Sequence, residues 1–159
     1  LETRQHDLQL RKLNLSAILE QAYQNLRERF IEKNLDPVLN LNEVYAKVDR
    51  DYLLQVLENL ISNAVKYSPP DKKVYLNLWS NQGKAYIGIR DEGPGISRED
   101  QKKLFLKYQP LSAEPTGGES STGIGLSIVK KFTEIMQGDV SCESDPGKGA
   151  KFTISFKTA

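Results

Sequence analysis

Asn59-Leu60-Ile61-Ser62-Asn63-Ala64-Val65-Lys66-Tyr67 is the stretch that decides how the chain is organised. It follows Asp49-Arg50-Asp51, whose carboxylates suit the first turn of a helix. At about 100° per residue, Leu53, Leu54, Leu57, Leu60, Ile61 and Ala64 share one face, and Gln55, Asn59, Asn63 and Lys66 share the opposite one. The bland alternative is that this amide face meets water, as on most amphipathic helices. Solvated faces are usually filled by Glu, Lys and Arg, however, and asparagine costs stability in a helix interior relative to alanine. Two such costs one turn apart point to a ligand. An amide oxygen can join a Mg²⁺ shell completed by water and phosphate oxygens, and a nearby lysine neutralises phosphate charge.

Outward from this helix, Ile18, Leu19, Ala22, Leu26, Phe30 and Ile31 keep helical spacing over residues 16–33, and Pro37 blocks continuation. Residues 37–42 and 45–48 read as short strands. Residues 74–79 and 85–90 read as an antiparallel pair joined across Asn81-Gln82-Gly83-Lys84. A short helix is expected over 98–108, a polar loop over 109–122, an amphipathic helix over 124–137 ending near Gly138, and strands over 139–144 and 150–157. Helices mixed with mainly antiparallel strands, without βαβ alternation, give an α+β class in two layers: a mixed sheet of about five strands against about three helices. Leu1, Leu8 and Leu15 recur every seventh residue, so residues 1–13 are expected to be the tail of an upstream linker or dimerisation helix, with the domain proper at 14–159.

Two glycine loops add chemistry. Asp91-Glu92-Gly93-Pro94-Gly95-Ile96 places a carboxylate at a strand end beside two glycines. An ordinary turn is the plain alternative. In a nucleotide pocket, an ionised Asp can only accept hydrogen bonds, so it selects the amino group of adenine over the carbonyl of guanine. The second loop, Gly117-Gly118-Glu119-Ser120-Ser121-Thr122-Gly123-Ile124-Gly125-Leu126, runs into a helix whose free N–H groups and dipole attract phosphate. Ile124 and Gly125 stand where a P-loop needs Lys and Ser or Thr, and the third Rossmann glycine is missing.

Composition narrows the field. The chain has 159 residues, 38% of them hydrophobic, which is enough for one core and too few for two ordinary domains. Lys and Arg number 22 against 21 for Asp and Glu, so no strong field draws the chain to nucleic acid or a membrane surface. No apolar run reaches the roughly 20 residues of a membrane span, and the first residues lack a secretory signal. One cysteine, Cys142, and one histidine, His6, allow neither an internal disulfide nor a zinc cluster, and a cytoplasmic setting is expected.

Taken together, residues 59–67, Asp91-x-Gly93-x-Gly95, Phe105 and Gly123-Ile124-Gly125-Leu126 resemble, in order and separation, the N, G1, F and G2 boxes of sensor histidine kinases. The resemblance runs from about Asn14 to the C-terminus and includes the glycine turn Gly147-Lys148-Gly149. It implies the Bergerat α/β sandwich shared with gyrase-, Hsp90- and MutL-type ATPases, ATP and Mg²⁺ as cofactors, and a mobile lid at 109–122. It further implies that Asn63 coordinates Mg²⁺, that Asn59 and Lys66 act at the phosphates as the catalytic pair, and that Tyr67 lines the pocket. Asp91 would hold the adenine amine, Gly95 and Ile96 would border the base, Gly93 would belong to the same nucleotide-binding loop, and Thr122, Gly123, Ile124, Gly125 and Leu126 would wrap the phosphates.

The implied activity is donation of the γ-phosphoryl group to a histidine on a dimerisation domain of the same parent protein, with a response regulator downstream. This fragment is expected to be monomeric, its parent homodimeric, and neither nucleic acid nor direct membrane contact is expected of it. Asn59 stands where the gyrase and MutL branches carry a glutamate base, and an amide cannot deprotonate water, so hydrolysis is expected to be slow. His6-Asp7-Leu8-Gln9-Leu10-Arg11 lacks the proline of the family's acceptor motif, so the acceptor helix is expected elsewhere. Pro110 stands near the place where many members carry an arginine, with Lys107 or Lys66 as substitutes. The competing expectations are a degenerate domain that binds ATP or a partner without transfer, a gyrase-type clamp, and a plain interaction module.

Overall fold

A computed structural model describes residues 7–106 and 125–159. In chain order the elements are β1 (Arg11–Asn14), α1 (Leu15–Lys33), β2 (Asp36–Leu41), β3 (Tyr45–Val48), α2 (Arg50–Tyr67), β4 (Lys73–Asn81), β5 (Lys84–Arg90), α3 (Arg98–Gln101), α4 (Gly125–Ile135), β6 (Asp139–Ser144) and β7 (Ala150–Lys157). The main sheet has the order β2-β4-β5-β7-β6, with β2 parallel to β4 and every other pairing antiparallel. It forms one layer of an α/β sandwich; α1, α2 and α4 form the other.

Alternation explains the two layers. Val74, Leu76 and Leu78 of β4, Ala85, Ile87 and Ile89 of β5, and Phe152, Ile154 and Phe156 of β7 are all buried on one face. Register stacks them, with Leu76 opposite Ile89 and Ile89 opposite Phe152. Gln82 and Gly83, with φ of 49° and 79°, make the tight turn that fixes this register between β4 and β5.

α2 lies between α1 and α4. Its cap is Asp49, whose Oδ1 accepts from the N–H groups of Asp51 (3.0 Å) and Tyr52 (3.2 Å). Because α2 is covered by the sheet below and by a helix on each side, its buried surface is wider than one stripe: Tyr52, Val56, Val65 and Tyr67 are buried along with Leu53, Leu57, Leu60, Ile61 and Ala64. Leu54 is only half-buried. On the α1 side, Asn25 donates to Glu58 Oε2 (2.6 Å), Arg29 to Ser62 Oγ (2.9 Å) and Lys33 to the Val65 carbonyl (2.6 Å). On the α4 side, the Tyr52 and Phe132 rings lie 4.7 Å apart.

Two expectations change. Residues 11–14 are a strand, not the end of a helix, and residues 7–10 are not helical either. Leu8 is exposed whereas Leu15 is fully buried at the start of α1, so leucines seven apart do not share a stripe. The chain is extended at Asn14 (φ −78°, ψ 111°), which caps α1 by accepting from Ser16 N, while β1 pairs with β3. The helix expected over 98–108 is one turn, α3, followed by turns to Leu106; residues 107 and 108 lie outside the described set, as does the expected lid.

Candidate functional site

Three segments converge beside α2. The first is α2 itself, which carries Asn59, Asn63, Lys66 and Tyr67 over its last turns, the first three half-buried and Tyr67 buried. The second is the loop after β5, with Asp91, Gly93, Gly95 and Ile96. The third is the start of α4, with Gly125 and Leu126. Thr122, Gly123 and Ile124 lie outside the described residues, and so do His6, Lys107 and Pro110.

Contacts join these segments. A Cβ on Gly125 would lie 3.9 Å from Asn59 Cγ, so the first residue of α4 faces the asparagine in ordinary van der Waals contact. Asn59 Nδ2 is buried and has no hydrogen-bond partner among the described residues. Such an orphaned donor costs on the order of 1–3 kcal/mol, and it lies beside a helix start, where backbone N–H groups lack intrahelical acceptors and the dipole favours an anion. A phosphate oxygen is the kind of acceptor that satisfies both. Leu126 is itself buried, so it can meet a ligand only through its backbone. Gly93 packs against the Tyr67 carbonyl, too closely for any side chain.

Asp91 is 4% exposed, and its Oδ1 accepts from the backbone N–H groups of Gly93 (2.8 Å) and Ala150 (3.3 Å). Its own N–H donates to the Ala150 carbonyl (3.0 Å). Burial pushes its carboxyl up to about 6, against the opposing pull of those two N–H groups and of Arg90. Both bonds fall on Oδ1, and among the described residues no donor reaches Oδ2. One oxygen is thus locked by the fold and the other is left for a ligand donor. Gly149, with φ of 77°, lies so close that a Cβ there would run into the Asp91 carbonyl oxygen. The Cys142 thiol is pushed up to about 12 by burial, Asp91 and Glu143, and stays protonated beside the site.

Lys66 occupies the last turn of α2, where its carbonyl accepts from Lys33 Nζ (3.2 Å). It also lines a cleft of about 580 Å³ shared with Arg29, Lys33 and Asp71, on the α1 side. Phe105 is half-buried, edge-to-face with Phe152 at 6.4 Å, with Lys130 over its ring. Among the described residues no group of three or more His, Cys, Asp or Glu side chains could hold a metal ion. Sequence reasoning missed Ser144 and Gln101, which fasten the loop bearing Ile96; no motif marks either, because their partners are carbonyls and N–H groups distant in sequence.

Residues 48–159 match the family model of the histidine kinase-, DNA gyrase B-, and HSP90-like ATPase. The chain is 34% identical over 151 residues to the circadian input-output histidine kinase CikA of Synechococcus elongatus, covering 92% of this chain and 20% of that relative's length. The full-length structure of ShkA in complex with AMPPNP is similar with a TM-score of 0.81 at 25% identity, over 99% of this chain and 33% of that one. Histidine kinase ThkA, solved in complex with the response regulator TrrA, has a TM-score of 0.79 at 22% identity, over 96% of this chain and 42% of that one. No helix among the described residues is long and apolar enough to cross a membrane.

Proposed function

The chain belongs to the histidine kinase-, DNA gyrase B-, and HSP90-like ATPase family, as its ATP-binding histidine kinase branch, and from that premise we propose that it binds Mg-ATP and donates the γ-phosphoryl group to a histidine of another domain. The carrying observation is the orphaned Asn59 amide facing Gly125 at the start of α4. An apolar residue would cost less there unless an anionic ligand is bound in the working state.

In this reading Asp91 accepts the adenine amine on Oδ2, Gly93, Gly95 and Ile96 border the base, and Tyr67 closes the inner wall. Asn59 and Lys66 reach the phosphates, and the backbone from Thr122 to Leu126 wraps them. Asn63 holds Mg²⁺, which when bound draws charge from the phosphate oxygens. Asn59 has no basic atom to take a proton from water, so ATP is conserved for an imidazole placed in line with the γ-phosphorus. The acceptor histidine lies on a dimerisation domain of the parent protein, and the phosphoryl group passes on to a response regulator. The solved complex of ThkA with TrrA is the precedent for such a partner. A domain that consumes ATP in this way works in the cytoplasm, as a monomer when isolated and as part of a homodimeric parent.

Calorimetric titration with ATP, with and without Mg²⁺, tests the binding, and phosphate transfer from γ-labelled ATP to the parent's separately supplied dimerisation domain tests the chemistry. Asn63→Ala should lose the Mg²⁺-dependent part of ATP binding and all transfer, with little change in melting temperature. Undiminished Mg-ATP binding by that variant would sink the assignment.

A further inference from the structure

Ile96 has both of its backbone groups tied by side chains, one 48 residues away and one five residues on. Its N–H donates to Ser144 Oγ at 2.7 Å, and its carbonyl accepts from Gln101 Nε2 at 2.8 Å. The same Gln101 amide donates to the Ser144 carbonyl at 3.0 Å, and the Ser144 hydroxyl donates a hydrogen bond to the Gly149 carbonyl at 2.7 Å. Gly149 backs Asp91, and the next residue, Ala150, donates to Asp91 Oδ1. A further bond runs from the Gly147 N–H to the Pro94 carbonyl at 2.6 Å. Asp91 and Ile96, five residues apart on one loop, are therefore both referred to the turn between β6 and β7.

We propose that Gln101 and Ser144 are positioning residues of the base pocket, which fix Ile96 against Asp91 and thereby set ATP affinity and the preference for adenine without touching the nucleotide. This rests on the assignment of Asp91 to the adenine amine. The geometry requires both. Among the described residues Ser144 is the one side chain that joins Ile96 to Gly149, and Gln101 joins the short helix α3 to the Ile96 carbonyl on the loop and to the Ser144 carbonyl at the end of β6. An amide is suited to that place because its two N–H groups serve two carbonyls at once. With these bonds removed, Asp91 keeps its two bonds to Oδ1, but Ile96 loses its tie to the turn between β6 and β7, so an adenine amine and a purine carbonyl are told apart less sharply.

The test is calorimetric titration of the full chain with Mg-ATP and with Mg-inosine triphosphate, which carries a carbonyl in place of the amine. Gln101→Leu and Ser144→Ala should bind ATP about five- to tenfold more weakly, the effect of one or two lost neutral hydrogen bonds. Their preference for ATP over inosine triphosphate should shrink by a similar factor. Ser144→Thr, which retains a hydroxyl, should keep both. A merely structural role would lower the melting temperature and leave the preference unchanged at temperatures where the variants are folded. Folded Gln101→Leu with wild-type affinity and preference overturns the proposal, and decides it alone if Ser144→Ala does not fold. A wild-type chain that does not prefer ATP at all would instead overturn the assignment of Asp91.

Discussion

Gly125 meets Asn59: the first residue of α4 and a residue in the middle of α2 stand so that a Cβ on the glycine would be 3.9 Å from the asparagine Cγ. At that distance an alanine methyl group would pack against Asn59 without a clash.

Gly125→Ala is therefore expected to fold at least as well as the parent, gaining up to about 0.5–1 kcal/mol from the better helix former. Its affinity for ATP should fall by about tenfold, as a methyl group occupies ligand space. Thermal unfolding and nucleotide titration on the same sample separate the two effects, and unchanged affinity would remove Gly125 from the phosphate site.

Asn59→Leu makes the same separation from the other helix. It removes a buried Nδ2 that has no partner among the described residues and should stabilise the nucleotide-free chain by about 1 kcal/mol. ATP should then no longer raise the melting temperature, the signature of a ligand that binds the native state. A variant less stable than the parent would mean that the amide is satisfied within the protein.

Asp91 gives the site a pH signature. The folded chain holds its proton up to about pH 6, the unfolded chain only to 3.8. Between those values the native state binds more protons than the unfolded state, so this group's contribution to stability is greatest below pH 3.8, falls as pH rises to about 6, and is constant above. The whole change is on the order of 3 kcal/mol. Asp91→Asn lacks the ionisation, so the stability difference between variant and wild type should grow in the variant's favour across that window. ATP affinity of the wild type should run the other way and drop below about pH 6, where Oδ2 is protonated. Parallel stability curves for the two proteins would contradict the burial argument.

Gly149→Ala tests the support behind Asp91. At φ of 77° and against the Asp91 carbonyl, an added methyl group is both strained and obstructed. A loss of more than about 2 kcal/mol is expected in denaturant unfolding. Gly147 has φ of 81° but open space around it, so Gly147→Ala should cost only the strain, about 1 kcal/mol.

Much of this was legible in the chain. The strands at 74–79 and 85–90 announce themselves by alternation, and their turn by Gln82-Gly83; the structure lengthens the first to Lys73–Asn81 and the second to Lys84–Arg90. α2 is visible from its apolar spacing and from Asp49, and the family from the order of the asparagines, aspartate and glycines. These signals are local, because side-chain period, cap and turn chemistry act within a few residues. The heptad of leucines misled for the same reason: periodicity cannot see that Asn14 turns the chain and that β1 is claimed by β3, more than thirty residues on.

What only the tertiary structure decided is which atoms face one another. Nothing in the spacing of Asn59 says that its Nδ2 is buried beside Gly125 without a partner among the described residues, or that Asp91 has one oxygen locked by Gly93 and Ala150 and the other unbonded by any described residue. Nor does it say that Ser144 and Gln101 hold Ile96 in place. Burial, and with it the cost of an unsatisfied amide and the raised pKa of Asp91, arises when segments distant in sequence exclude water together. The sequence by itself determined the family and a set of candidate site residues; folding determined which of the described ones meet, and their electrostatics.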